Sequence, residues 1–361
     1  MPRRRYAARQ EIIPGLAVIL VVMFHFREDL SKTYGEVADL LFINGSIGVD
    51  LFFMISGFIA YYVYVNENSG LSSSKIFLVK RLCRIIPPYF LVTLMVAGNS
   101  VDSWMETLRS MLFLPGDSSS QASWFGYAKL DVGWTLNYEM LFYVLCATSL
   151  LFRSYKFVAL TALISAFVFI PYVSLVGTGD WANRHYGLSG YFAIVTNGIM
   201  LEFIAGMMIG HLHLGKVQSN HKMLWVMAIL FSSTLFALEL ETGFLRGNGR
   251  PGFFISSFLL LFSMVGYECR FGMRIPSLLL MLGSTSYSVY LVHTRAMSIA
   301  QKIIYNRIDE PSAGVMVFIL SIVLTVIFTY LMYTLVEKRL CSFIRSLIFK
   351  RESLESKKTA G

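Results

Sequence analysis

The chain has 361 residues, 55% of them hydrophobic and only 15% charged, with a mean hydropathy of +0.60. Soluble globular domains carry roughly 45–50% apolar and about 25% charged residues, so that class is excluded. The net charge of +9 would suit nucleic acid in a soluble protein. Here the basic residues sit in tails and short loops, where membrane topology explains them, and no nucleic-acid partner is expected.

Apolar blocks of about 17–25 residues recur along the chain, the length that crosses roughly 30 Å of hydrocarbon. The expected fold is all-α, a polytopic integral membrane helical bundle of about ten transmembrane helices. The first span follows the polar MPRRRYAARQ and contains PGLAVILVVMFHF, residues 14–26. Its basic start and apolar run resemble a signal peptide. However, FREDLSK follows in place of a small-residue cleavage site, so an uncleaved span is predicted.

Spans are read at 12–30, 46–65, 85–99, 134–152, 157–175, 190–211, 222–239, 252–267, 278–300 and 313–335. The third begins with Pro87-Pro88, which a first helical turn tolerates. The long connection 100–133 carries Trp104, Trp124, Phe125 and Tyr127 and reads as a re-entrant or surface-lying segment. An even number of spans puts both termini on one side. With that side cytoplasmic, 21 of the 31 Lys and Arg face inward and nine outward, and Arg295 lies in or near a span. Residues 1–337 form the membrane domain. Residues 338–361 are a basic amphipathic stretch and a disordered cytoplasmic tail. Cys83, Cys146, Cys269 and Cys341 fall on the inner side and match no metal spacing, so no metal is expected.

Polar residues inside these spans line up in depth. At 1.5 Å per residue, His25 lies about 20 Å into its span and His293 about 22 Å into a span of the same direction. Glu139, in TLNYEMLFY, lies about one and a half turns below the outer face. Asp50 is also shallow, and Arg295 sits just above His293. Such a layer suits acyl transfer: a histidine takes a hydroxyl proton, Glu139 or Asp50 fixes its tautomer, and a cation or second imidazole stabilises the oxyanion. It suits a proton relay in a transporter equally well, and spacing does not separate the two. Each residue also has a plain structural reading. A histidine can sit at a span rim, and Asp50 can cap its helix. Arg81 and Arg84 can hold phosphates or simply follow the positive-inside rule. His211, His213 and His221 flank a short inner loop and are not read as a metal cluster. His185 has no assignment.

Five segments, in order, resemble the membrane-bound acyltransferase-3 family. They are GLAVILVVMFHF, GVDLFFMISGFI (48–59), KRLCRIIPPYFL (80–91), VGWTLNYEMLFY (132–143) and LGSTSYSVYLVH (282–293). The flavour is closest to exopolysaccharide O-acetyltransferases of the succinoglycan type. The resemblance implies a bacterial inner-membrane enzyme that moves an acetyl group from cytoplasmic acetyl-CoA to a sugar hydroxyl of an exported or lipid-linked polysaccharide. His25 matches the family's histidine and Glu139 its glutamate, with His293 and Asp50 beside them. Arg81 and Arg84 match its donor-binding arginines. Expected partners are the bilayer, the saccharide acceptor and polysaccharide assembly proteins. A transporter or flippase, or a non-catalytic component of polysaccharide export, is the alternative. One departure stands out: the family's arginine eleven residues before the histidine is replaced by Pro14. Arg9, Arg81 and Arg84 are the candidates to take its place.

Overall fold

The computed structural model describes residues 12–116, 123–126, 128–175, 186–215, 221–244, 251–273, 276–308 and 312–348. Arg9, Tyr127, His185 and the tail beyond residue 348 lie outside them. Every regular element among the described residues is helical. That follows from the solvent: in hydrocarbon each unsatisfied backbone group costs several kcal/mol, and a helix satisfies its own.

Helix α1 (Ile12–Tyr34) turns at Gly35 (φ 60°) into the short α2 (Glu36–Phe42) and a 3₁₀ turn (Ile43–Ser46). Helix α3 (Ile47–Asn66) returns through the bundle. Helix α4 (Leu71–Met95) corrects the sequence reading, which placed the third span at 85–99 with prolines at its start. The helix begins at Leu71, and Pro87 and Pro88 lie in its interior. KRLCR reads as a loop by charge, yet it extends the helix beyond its apolar half. Interior prolines forfeit two backbone hydrogen bonds. In this turn the Tyr287 hydroxyl donates to the Ile85 carbonyl at 2.9 Å.

Helix α5 (Val101–Met111) is capped by Ser100, whose hydroxyl accepts from the Ser103 amide at 3.2 Å. It exposes Val101, Trp104, Met105 and Leu108 on one side and buries Thr107 and Ser110 on the other. That pattern is the one a helix lying along a membrane surface presents. Helix α6 (Gly133–Ser149) reverses through Leu150–Tyr155, where Arg153 has φ 51°, into α7 (Lys156–Leu175).

The expected span 190–211 is two pieces, α8 (Tyr191–Val195) and α9 (Met200–Gly215). Asn197 breaks it by accepting the Ile199 amide on its own side chain at 3.0 Å. Helices α10 (Lys222–Thr242) and α11 (Pro251–Phe271) pair with each other. The expected span 278–300 is also divided at Thr285, into α12 (Ser277–Ser284) and α13 (Ser286–Tyr305). Helix α14 (Ala313–Leu331) runs into a π-helical stretch, Met332–Leu340, and on to Ile348.

Among the described residues, five stretches qualify as membrane spans by length and composition, and one of them, Gly133–Ser174, covers two of the ten expected spans. Charge accounts for two of the others. Helix α1 carries Arg27, Glu28, Asp29 and Lys32, and α4 carries Lys75, Lys80, Arg81 and Arg84.

Helices α3 and α9 form the tightest crossing. A Cβ on Gly57 would stand 2.0 Å from the Phe203 carbonyl oxygen, and one on Gly206 1.8 Å from that of Met54. Both obstacles are backbone, so neither yields by changing a rotamer. The Gly206→Ala variant is expected to lose about 2–3 kcal/mol. Heating the detergent-solubilised protein and following its monodisperse fraction would show the lower midpoint.

Helices α1 and α13 are locked together at their far ends. The buried Asp29 carboxylate accepts from Gln301 Nε2 at 3.0 Å and from the Tyr305 hydroxyl at 2.8 Å.

Candidate active site

The bundle has two polar ends. The end where α1 begins also gathers the end of α3 and the starts of α4 and α7. There Lys156 Nζ donates to the Tyr64 and Glu67 carbonyls, both at 2.9 Å. The opposite end carries α5 and the Asp29 cluster. Each end holds a cavity; neither His25 nor His293 lines one, but α13 carries Tyr290 in the wall of one and Arg295 in the wall of the other.

The pair comes from α1 and α13, held in register by the Asp29 cluster one turn beyond His25. His25 Nδ1 lies 3.2 Å from His293 Nε2, with ring centroids 4.9 Å apart. His25 Nδ1 is also 2.9 Å from the Val21 carbonyl, and His293 Nδ1 is 3.2 Å from that of Val289. A carbonyl can only accept, so both Nδ1 atoms carry the proton. His293 Nε2 then turns its lone pair toward the His25 N–H, and His25 Nε2 keeps a free lone pair. His293 is fully buried, while His25 is half-buried. The arrangement leaves one basic nitrogen with a neutral acceptor behind it, ready to stabilise the ring once it is protonated.

The first cavity, about 500 Å³, is lined by Arg81, Arg84, Glu139, Tyr143 and Tyr290, and by Pro14. Arg81 is buried, lies over the Tyr143 ring at 5.1 Å and the Phe77 ring at 5.6 Å, and has Nη2 without a hydrogen-bond partner. A buried guanidinium nitrogen left unsatisfied is costly. An anionic ligand in the cavity would relieve that cost. Arg84 is exposed. At the cavity's deep end the Tyr290 hydroxyl meets Thr135 Oγ1 at 2.9 Å, and the Tyr290 ring lies 5.9 Å from that of His293.

The hydrogen bonds of Glu139 run to Ser56 and Tyr143 and not to His25, so of the two carboxylates expected to fix the imidazole tautomer, Glu139 or Asp50, Glu139 is not the one. One of its oxygens accepts from Ser56 at 3.1 Å and from Tyr143 at 2.6 Å. Depth in the bundle was read from helix rise; the direction in which Glu139 points was not. A backbone carbonyl orients His25 instead. Asp50 is fully buried in the first turn of α3.

Sequence reading missed Tyr143, Tyr290, Tyr333 and Glu337. The spacing of Glu139 and Tyr143, four residues apart on one helix face, was a usable signal. Tyr333 reaches the cavity wall from the π-helical stretch, and Ser288 on α13 donates to Glu337 of that stretch. A nine-residue π segment beside a cavity is rare, and such bulges cluster at functional sites.

The second cavity, about 560 Å³, lies at the opposite end and is lined by Glu106, Arg109, Ser110, Lys129, Asp131 and Arg295. Arg295 sits two residues beyond His293 and pairs with Asp131 at 3.7 Å. Among the described residues, no group of histidine, cysteine and carboxylate side chains is arranged to hold a metal.

A family model described as an acyltransferase domain matches residues 12–334. The chain is 34% identical over 282 residues to the exopolysaccharide production protein ExoZ of Rhizobium meliloti (strain 1021), covering 72% of this chain and 79% of that protein. It is 24% identical over 368 aligned positions to the "Putative O-acetyltransferase SACOL0978" of Staphylococcus aureus (strain COL). That alignment covers 93% of this chain and 57% of the other protein, so the chain spans little more than half of it. No solved structure matches.

Proposed function

The chain belongs to this acyltransferase family, and on that premise we propose that it O-acetylates a cell-surface polysaccharide or its lipid-linked precursor, drawing on cytoplasmic acetyl-CoA. The observation that carries the reading is the His25–His293 contact on α1 and α13, with α13 contributing Tyr290 to one cavity and Arg295 to the other, two cavities of different chemistry. The cavity with Arg81 and Arg84 takes the donor. Its buried, unsatisfied guanidinium suits a nucleotide phosphate, and its Tyr290 end leads a thioester toward His293. The other cavity takes the acceptor. The end carrying Arg81 and Arg84 faces the cytoplasm, in line with the excess of Lys and Arg assigned to that side.

In the transfer step, His25 Nε2 takes the proton of the sugar hydroxyl as its oxygen attacks the thioester carbonyl. The new C–O bond forms, the C–S bond breaks, and the departing thiolate receives the proton back from His25. His293 Nε2 accepts from the His25 Nδ1–H throughout and stabilises the imidazolium.

The test is reconstitution of the full-length protein in vesicles with radiolabelled acetyl-CoA on the basic face and a saccharide acceptor on the other. Mass and NMR analysis of surface polysaccharide from a deletion strain completes it. Label in the sugar is expected. Saccharide flux without an acetyl donor, and no label, would overturn the reading in favour of a transporter.

Pro14 offers a second check. It occupies the family's arginine position and lines the same cavity as Arg81 and Arg84, which therefore act in its place. The Pro14→Arg variant replaces the proline of the first helical turn with a cation on this wall. Its apparent KM for acetyl-CoA is expected to fall by about an order of magnitude, the scale of one charge-assisted hydrogen bond. An unchanged KM would show that the donor phosphates do not reach this wall.

A further inference from the structure

We infer that the second cavity is built to bind an oxyanion of the acceptor, held by Arg109; the inference rests on the acyl-transfer reading only for the name of its ligand. Its lining holds three cations, Arg109, Lys129 and Arg295, against two carboxylates, Glu106 and Asp131. Both carboxylates are taken. Lys129 Nζ lies 2.9 Å from Glu106, and Arg295 lies 3.7 Å from Asp131. Arg109, exposed at the cavity's edge, has no ion-pair partner among the described residues, and Arg295 Nε is buried without a hydrogen-bond partner. The cavity therefore presents a surplus of guanidinium N–H donors, the group best matched to phosphate and carboxylate.

Several described residues of the wall and its surround are tied down by hydrogen bonds. The Tyr89 hydroxyl meets Ser110 Oγ at 2.7 Å, and the Lys129 amide donates to the same oxygen at 3.2 Å. The Tyr138 hydroxyl ties down Ser123 at 2.6 Å. Phe113 (φ 57°) and Phe125 (φ 47°), each adjacent to a lining residue, are held in the left-handed backbone region. Bulky residues persist there only where surrounding packing over-determines them, and such strain collects at ligand sites.

Helix α5 places this cavity at a defined depth. Its apolar side, with Trp104, Met105 and Leu108, is exposed and suits acyl chains, while Arg109 and Glu106 on the same helix line the cavity. Arg109 thus stands at headgroup level, where the phosphates of a lipid-linked saccharide travel. A carboxylate on an acidic sugar carries the same oxyanion chemistry, and the experiment separates the two sources.

The full-length protein in nanodiscs is titrated with three probes that share one disaccharide: free cellobiose, its uronic acid form, and cellobiose linked to a short prenyl diphosphate. At least one anionic probe is expected to bind about tenfold or more tightly than free cellobiose, and Arg109→Gln to bring that ratio to about one. Arg109→Lys, which keeps the charge without the fork, retains part of the preference. Preference for the diphosphate alone assigns the lipid carrier, and preference for the uronate alone assigns the sugar. Equal binding of all three probes, or an unchanged ratio in Arg109→Gln, would overturn the site. Acetyl transfer from labelled acetyl-CoA is followed in the same samples. Transfer without the binding preference removes only the oxyanion site; the preference without any transfer removes only the acetylation reading.

Discussion

Replacing His25 with alanine is expected to cut kcat for acetyl transfer by about 10²–10⁴-fold, the usual weight of a positioned general base. The apparent KM for acetyl-CoA should hardly move, because the proposed mechanism holds the donor phosphates at Arg81, not at the imidazole. The fold is expected to survive, since His25 donates only to the Val21 carbonyl of its own helix and to His293. His293→Ala removes the acceptor behind the base and should cost less. The double variant should be little worse than His25→Ala, as groups acting as one unit are strongly non-additive. Product formation at the wild-type rate in His25→Ala would refute the base assignment. An additive double variant would instead separate the two imidazoles into independent roles.

The histidine pair was legible because depth is legible. Two helices running the same way at 1.5 Å per residue must bring residues about 13 and 15 positions along to nearly one level. Rotation about the helix axis decided the rest, and spacing does not fix it across helices. Glu139 shares roughly that level yet points toward Ser56 and Tyr143. Arg295 lies two residues from His293, about 200° around the helix, and opens onto the other cavity. The breaks at Asn197 and Thr285 were hidden for another reason. Hydropathy averages over a window, whereas one side chain bonded to the nearby backbone, Asn197 accepting the Ile199 amide or Thr285 donating to the Met281 carbonyl, does not change the average. The long α4 was hidden by its charge: KRLCR looks like loop, but a helix continues wherever its charged residues find the aromatic faces and cavity that Arg81 and Arg84 find. The asymmetry between the cavities could not be seen from the sequence at all, because Glu106, Lys129, Asp131 and Arg295 come from three segments that meet only after folding.

Arg81→Ala is expected to raise the apparent KM for acetyl-CoA by about 10–100-fold with kcat changed far less, since it removes a charge-assisted contact made equally in ground and transition states. Arg81 is the stronger choice over Arg84 because it is buried beside the Phe77 and Tyr143 rings, whereas Arg84 is exposed and its attraction is screened. Arg81→Lys should rescue little, because an ammonium lacks the forked donor set of a guanidinium. The same geometry gives Glu139 its part. Its carboxylate accepts from the Tyr143 hydroxyl, and the Tyr143 ring lies against Arg81, so in the proposed mechanism Glu139 positions the donor-binding cation. Tyr143→Phe, which keeps the ring and loses that hydrogen bond, should therefore reproduce a fraction of the Arg81→Ala rise in KM. Glu139→Gln should do the same, with a pH profile of kcat like that of the wild type. If Glu139→Gln instead lowered kcat and shifted that profile while leaving KM alone, the carboxylate would belong to the proton-transfer step, and the division between a donor cavity and a histidine centre would have to be redrawn.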